Sequence, residues 1–208
     1  MPISKNIVLN KERIDDIDLS PLYPYLTWNP QYLQFFTQKP GQEVYKLLGY
    51  ISMHSSGVIA DIGTQFGSSA LALSLNNEVS VDTYDKIKHV PDTNQQVQTI
   101  SNKSNIKYKI MSAQSVMSKL VESNIIFLDI NTEDGSEEIK IINALLELNF
   151  QGILIIDDIK LTKIMEHVWS SVPKQLKKID VTEFGHWSGT GIVVYNPKNI
   201  DVNIDQQT

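Results

Sequence analysis

Two runs constrain this chain most, Ile125-Ile126-Phe127-Leu128-Asp129 and Ile153-Leu154-Ile155-Ile156-Asp157-Asp158. Neither has a polar residue before its terminal acids. A strand with one face in water alternates polar and apolar residues. A strand with no alternation must be covered on both faces, as in a parallel sheet flanked by helices. The segment between the runs supplies a covering helix. It starts near Ser136, with Glu137 and Glu138 in the first turn, where acids offset the helix dipole. Ile139, Ile142, Leu145 and Leu146 form its apolar face, and Phe150-Gln151-Gly152 turns the chain into the second run.

The same alternation recurs along the chain. Val58-Ile59-Ala60-Asp61 reads as a strand, followed after a turn by the helical pattern Ala70–Leu75. Glu78–Tyr84 alternates as a strand, Thr93–Ser101 reads as a helix, and Ile106–Ile110 is a lysine-decorated strand of the edge kind. A helix running to Val121 follows. Beyond the second apolar run come a helix over Leu161–Ser170, stopped by Pro173, and two last strands, Lys178–Val181 and Ile192–Tyr195. Their connection is too short for a helical crossover, so they form an antiparallel hairpin. The expected fold is α/β, a doubly wound, seven-stranded, mostly parallel sheet with a C-terminal antiparallel hairpin. Residues 1–40 read as a helical and irregular cap segment ahead of a domain over 41–208. In the cap, Pro30 suits the first position of a helix over Gln31–Thr37. A helix starting at Pro40 has Val44, Leu47, Leu48 and Ile51 on one face. Tyr32, Phe35, Phe36 and Tyr45 are expected to pack rather than touch substrate. The tail from Asn196 is expected to be partly loose.

Between the first strand and its helix lies Asp61-Ile62-Gly63-Thr64-Gln65-Phe66-Gly67-Ser68-Ser69. Gly63 permits a turn at positive φ and a close approach to the backbone. Ser68 or Ser69 is a candidate cap for the next helix, whose free N–H groups favour an anionic group. The glycines read G-x-x-x-G, not the G-x-G-x-x-G of dinucleotide sites. In nucleotide folds an acid about 20 residues after the glycine loop binds the ribose. Asp82 lies nineteen and Asp85 twenty-two residues after Gly63. Asp85 is preferred, because it ends the strand.

An acid before a strand-end turn, with glycines at this spacing, resembles motif I of the class I S-adenosylmethionine-dependent methyltransferases. The resemblance covers about residues 41–195. It implies that Asp61 faces the cofactor's ammonium, that Gly63, Thr64, Gly67, Ser68 and Ser69 surround its methionine part, and that Asp85 holds its ribose. Ser112-Ala113-Gln114 resembles the adenine-side turn of the catechol-type O-methyltransferases, which places Ala113 and Gln114 beside the base. Many relatives have an Asp there, and this chain does not.

Asp61, Asp85, Asp129 and Asp157 each end an expected strand, so they share the edge of a parallel sheet where ligands bind. Converging carboxylates repel unless protons or a cation balance them, and oxygen ligands suit magnesium or manganese. Asp129 with the Asp157-Asp158 pair resembles the metal site of cation-dependent O-methyltransferases, the Asp-Asp form being that of the sugar O-methyltransferases of antibiotic biosynthesis. That implies Asp129, Asp157 and Asp158 as ligands of Mg2+ or another divalent cation, with Asp129 also near the cofactor. The alternative is that Asp129 and Asp158 serve as turn or helix caps. His186, in the last hairpin, is a candidate base for an acceptor hydroxyl, with Asp129 beside it, or else a packed loop histidine; Trp187 would wall the substrate.

Charge narrows the partners. The 208 residues have a net charge of -6 and a single arginine, Arg13, which disfavours nucleic acid. No cysteine is present, so thiolate chemistry is excluded. No run is long and apolar enough for a membrane span, and a cytoplasmic protein is the simplest reading. The expectation is therefore an enzyme that transfers a methyl group from S-adenosylmethionine to the oxygen of a small-molecule or sugar acceptor, either as a monomer or as a homo-oligomer. The alternatives are an NAD-dependent oxidoreductase, against which the glycine spacing argues, and a methyltransferase fold used only for binding.

Overall fold

The computed structural model describes residues 6–90, 99–130 and 135–205. Its centre is a seven-stranded sheet built from β2 (Gly57–Ile62), β3 (Val79–Asp85), β4 (Ile106–Ile110), β5 (Ile125–Leu128), β6 (Ile153–Asp157), β7 (Lys177–Asp180) and β8 (Thr190–Val194), in the order β4-β3-β2-β5-β6-β8-β7. Every pairing is parallel except those of β8, which runs antiparallel to both β6 and β7. All residues of β5 and β6 are buried, as their unbroken apolar runs require. Strand order reverses beside β2, so a crevice opens at the carboxyl ends of β2 and β5.

Helices cover both faces. On one lie α3 (Gln42–Met53) and α4 (Ser68–Leu73), whose side chains join those of β2 and β3 in one core cluster. On the other lie α5 (Met117–Leu120), α6 (Ser136–Glu147) and α7 (Lys163–Ser171), whose buried residues form a second cluster with Ile126, Leu128, Leu154 and Ile156. The Thr162 side chain caps α7 by accepting from the Met165 amide at 3.2 Å, so Asp158 is not its cap. Of the helix expected over Thr93–Ser101, residues 93–98 lie outside the described residues, and Ile100–Asn102 form a 3-10 turn.

Two expectations are corrected. The polar tail is ordered through residue 205, because β9 (Asp201–Ile204) pairs in parallel with β1 (Asn6–Leu9). The alternation in Val202 and Ile204 is too short to read as a strand without its partner. Residues 6–27 are not irregular either. They form β1, α1 (Lys11–Asp15) and a 3-10 segment (Ser20–Leu26), and their Ile7, Leu9, Ile14, Leu22 and Leu26 enter the first core cluster. Then α2 (Pro30–Thr37) follows, with the Asn29 side chain accepting from the Gln31 amide at 3.2 Å as its cap.

Candidate active site

The glycine loop is fixed from below by β3. The amides of Gly63 and Thr64 both donate to the Tyr84 carbonyl, at 2.9 and 3.3 Å. Gly63 has φ +98, and a Cβ there would lie 1.7 Å from the Asp129 carbonyl oxygen. Its missing side chain therefore lets the loop pack on the end of β5. Gly67 has φ +82 and would bring a Cβ within 2.5 Å of the Tyr108 hydroxyl. Gly67 itself is the N-cap of α4, and neither Ser68 nor Ser69 caps it through its side chain. The serines are instead its first helical residues.

Asp61 is fully buried beneath this loop, so it forms no part of the crevice lining. Thr83, its partner in the sheet register, donates a hydrogen bond to Asp61 Oδ2, and Thr83 is in turn hydrogen-bonded to Thr64. Asp61 Oδ1 has no hydrogen-bond partner among the described residues. Burial pushes the Asp61 carboxyl up to about 6, against the opposing hydrogen bonds from Thr83 and Ser69. Asp85 ends β3 as expected. Its Oδ2 accepts from the Gln65 amide at 2.9 Å and its Oδ1 from the Ile87 amide at 3.1 Å, so it ties the loop to the next turn. Asp82 instead pairs with Lys109.

Two clefts meet at the strand ends. One, of about 880 Å3, runs over the ends of β2, β3 and β4 past Tyr84, Asp85, Met111, Ser112 and Ala113. Gln114 does not line it; its amide donates at 2.7 Å to Oε1 of Glu137, which does. The other, of about 560 Å3, lies under α2 and the turn after it, with Thr64, Ser68 and Ser69 on its inner side and Tyr32, Phe35 and Tyr45 in its wall. Gly63, Phe66, Asp129, Asp157 and Asp158 border both. Tyr32 packs on Phe35 and Phe66, and both Tyr32 and Phe35 also border this cleft. Phe66, at the tip of the glycine loop, meets Tyr32 at 4.6 Å and Trp28 at 6.0 Å between ring centres. That docking could not be read from separate segments of sequence.

At the junction, His186 Nε2 lies 3.3 Å from Asp157 Oδ2, and its Nδ1 is hydrogen-bonded to the Ser188 hydroxyl. Thr190 Oγ1 donates to Asp157 Oδ1 at 3.2 Å, so Asp157 is held from two sides. Burial pulls the His186 pKa down, but the hydrogen bond and charge of Asp157, with Asp158 and Asp129 behind it, raise it above the usual imidazole value. Asp158 sits at φ +58, a backbone region that Asp tolerates better than most residues. Its pKa is raised by burial and by Asp157, and lowered by a hydrogen bond from Ser188. Asp129 is flanked by protein but exposed to the cleft. Burial and the charges of Asp157, Asp158 and Asp61 raise its pKa well above the carboxylate range. Because water reaches its surface, the neighbouring charges are the firmer of these causes.

Ligand atoms of Asp157, Asp158 and His186 lie within 4.8 Å of one another. The structure thus brings two of the three expected metal ligands together with His186, while Asp129 faces them across the junction. Two carboxylates suit a hard cation such as magnesium or manganese, and the imidazole does not. Of the residues that sequence reasoning missed, Ser188 and Thr190 sat within the last hairpin, beside His186. Thr83 had only its place in the alternation of β3.

No protein-family model matches the chain, and comparison with curated proteins gives no match. Solved structures do match. The Podospora anserina methyltransferase PaMTH1, solved with S-adenosylhomocysteine bound, is 12% identical with a TM-score of 0.59, over 90% of this chain and 97% of that one. Rv0187 from MTB, solved with its cofactor, is 14% identical with a TM-score of 0.56, over 90% and 98%. A candidate O-methyltransferase from Klebsiella pneumoniae is 15% identical with a TM-score of 0.56, over 88% and 93%. With the strand order above, the likeness defines the architecture: the chain has the Rossmann-like fold of the class I methyltransferases.

Proposed function

We propose that this protein is an S-adenosylmethionine-dependent O-methyltransferase of a small hydroxylated molecule or sugar, assisted by a divalent cation. In this reading residues 1–40 cap the acceptor cleft and 41–208 form the methyltransferase domain. The observation that carries it is the meeting of two clefts over the glycine loop, with Asp129, Asp157 and Asp158 at their junction and His186 against Asp157. The Ser68 hydroxyl, buried in the cleft lining without a hydrogen-bond partner among the described residues, fits a ligand with polar groups at that loop. Gly63, Thr64, Gly67 and Ser69 would border its methionine part, Asp85 would hold its ribose, and Ala113 would lie against the base. Gln114 would reach the base only by leaving Glu137.

S-adenosylmethionine supplies the methyl group as an electrophile; the protein orients the acceptor and removes its proton. Asp129, Asp157 and Asp158 would hold the cation, whose charge lowers the pKa of a bound hydroxyl. His186 would take the hydroxyl proton at Nδ1, where Ser188 now sits, while Asp157 keeps the ring oriented through Nε2. Calorimetry with S-adenosylhomocysteine should give saturable binding, and EDTA should stop transfer of a labelled methyl group until magnesium or manganese is restored. Absence of S-adenosylhomocysteine binding would overturn the reading. Full transfer after chelation would remove the cation from it.

A further inference from the structure

Phe66 borders both clefts. On the acceptor side its ring meets Tyr32 of α2 at 4.6 Å and Trp28, just ahead of α2, at 6.0 Å. On the other side it meets His89 at 5.8 Å, and His89 lines the larger cleft over β2, β3 and β4. Aromatic rings at such separations attract beyond the area they bury.

The two ends of this contact are held unequally. The loop tip is supported from the side of the larger cleft. Gln65 stands at φ +42, a left-handed conformation unfavourable for a residue with a side chain. The Asp85 carboxylate supports it there by accepting from the Gln65 amide at 2.9 Å. In the reading above, Asp85 is also the residue that holds the ribose. By contrast, α2 is held lightly. It has eight residues, and Phe36 is the buried one among them. A helix this short is not stable alone in water, so its place depends on what its side chains pack against. Tyr32 packs on Phe66, Phe35 packs on Tyr32, and both border the acceptor cleft.

Resting on the function proposed above, we propose that Phe66 is a positioning residue that joins the two sites: cofactor bound at the glycine loop fixes the Phe66 ring, and the ring fixes the α2 wall of the acceptor cleft. The acceptor therefore meets a finished cleft only after the cofactor is in place. Hydrogen–deuterium exchange of full-length protein, with and without saturating S-adenosylhomocysteine, tests this. In the unaltered protein the ligand should slow the amides of residues 33–38 at least about fivefold, the size of an ordinary coupling between sites. Phe66→Ala should lose that slowing while the amides of Gly63 and Thr64, which donate to the Tyr84 carbonyl, still respond to the ligand. Phe66→Tyr should keep it. Tyr32→Ala cuts the same contact from the acceptor side, outside the lining of the larger cleft, and should lose it too. If Phe66→Ala does not bind the ligand, Tyr32→Ala decides alone. The proposal is overturned if residues 33–38 do not respond in unaltered protein that binds the ligand, or if the slowing survives in either alanine variant that binds it. Absence of S-adenosylhomocysteine binding to the unaltered protein would instead defeat the proposed function.

Discussion

Gly63 and Asp61 show how much one position can carry. The sequence marks Gly63 as a turn residue beside a ligand, and the structure adds that its Cβ position is taken by the Asp129 carbonyl. Gly63→Ala should therefore lower stability by at least about 2 kcal/mol, from strain at positive φ plus displacement of the β5 end. An unchanged urea midpoint would show that the loop yields freely. Asp61 was legible as an acid before the turn, but its burial and its bond to Thr83 depend on strand register, which a single chain does not display. Its pKa is raised, from 3.8 to about 6, so the folded state binds the proton more tightly than the unfolded one. The stabilising contribution is thus complete below about pH 4 and is lost as the pH rises through 6. It amounts to about 3 kcal/mol. Asp61→Asn should flatten this fall, measured as unfolding free energy between pH 4 and 7. A parallel pH profile in the variant would mean that Asp61 titrates normally.

At the scale of elements, the five parallel strands and the helices α3, α4, α6 and α7 were legible because strand patterning and helical periodicity are written locally. The exceptions were β1 and β9. Each is four residues long, and each is a strand only because the other is present. Lys177 of β7 fastens the pair to the main sheet. Its ammonium donates to Asp201 Oδ1 at 2.7 Å, the Val202 carbonyl at 2.8 Å and Asn203 Oδ1 at 3.0 Å. Lys177→Ala should cost about 1 kcal/mol, a charged hydrogen-bond cluster discounted for partial exposure. Amides of residues 202–204 should exchange with deuterium faster, while those of β5 and β6 keep their protection. Unaltered exchange in β9 would show that the β1 ladder alone holds it.

The whole molecule concentrates acids at one edge of its sheet, and the candidate site was legible in this respect, since Asp129 and Asp157 close apolar runs and Asp85 closes an alternating one. What brings His186, Ser188 and Thr190 to the same point is the antiparallel return of β8 beside β6. The wall contributed by α2 was hidden for the same reason, since it is assembled from segments far apart in sequence. β1 and β9 carry separation further. Asn10 donates to Asp205 across 195 positions, and the ladder beside it closes nearly the entire chain into a ring. Closing a loop of that length costs about 5 kcal/mol of chain entropy, a cost that grows only slowly with length. During synthesis, β1 emerges early and finds no strand to pair with until residues 201–204 have cleared the ribosome. A nascent chain stalled before that point can carry most of the central sheet, yet it presents the β1 edge and the apolar faces of Ile7 and Leu9 to whatever chaperone or protease inspects it.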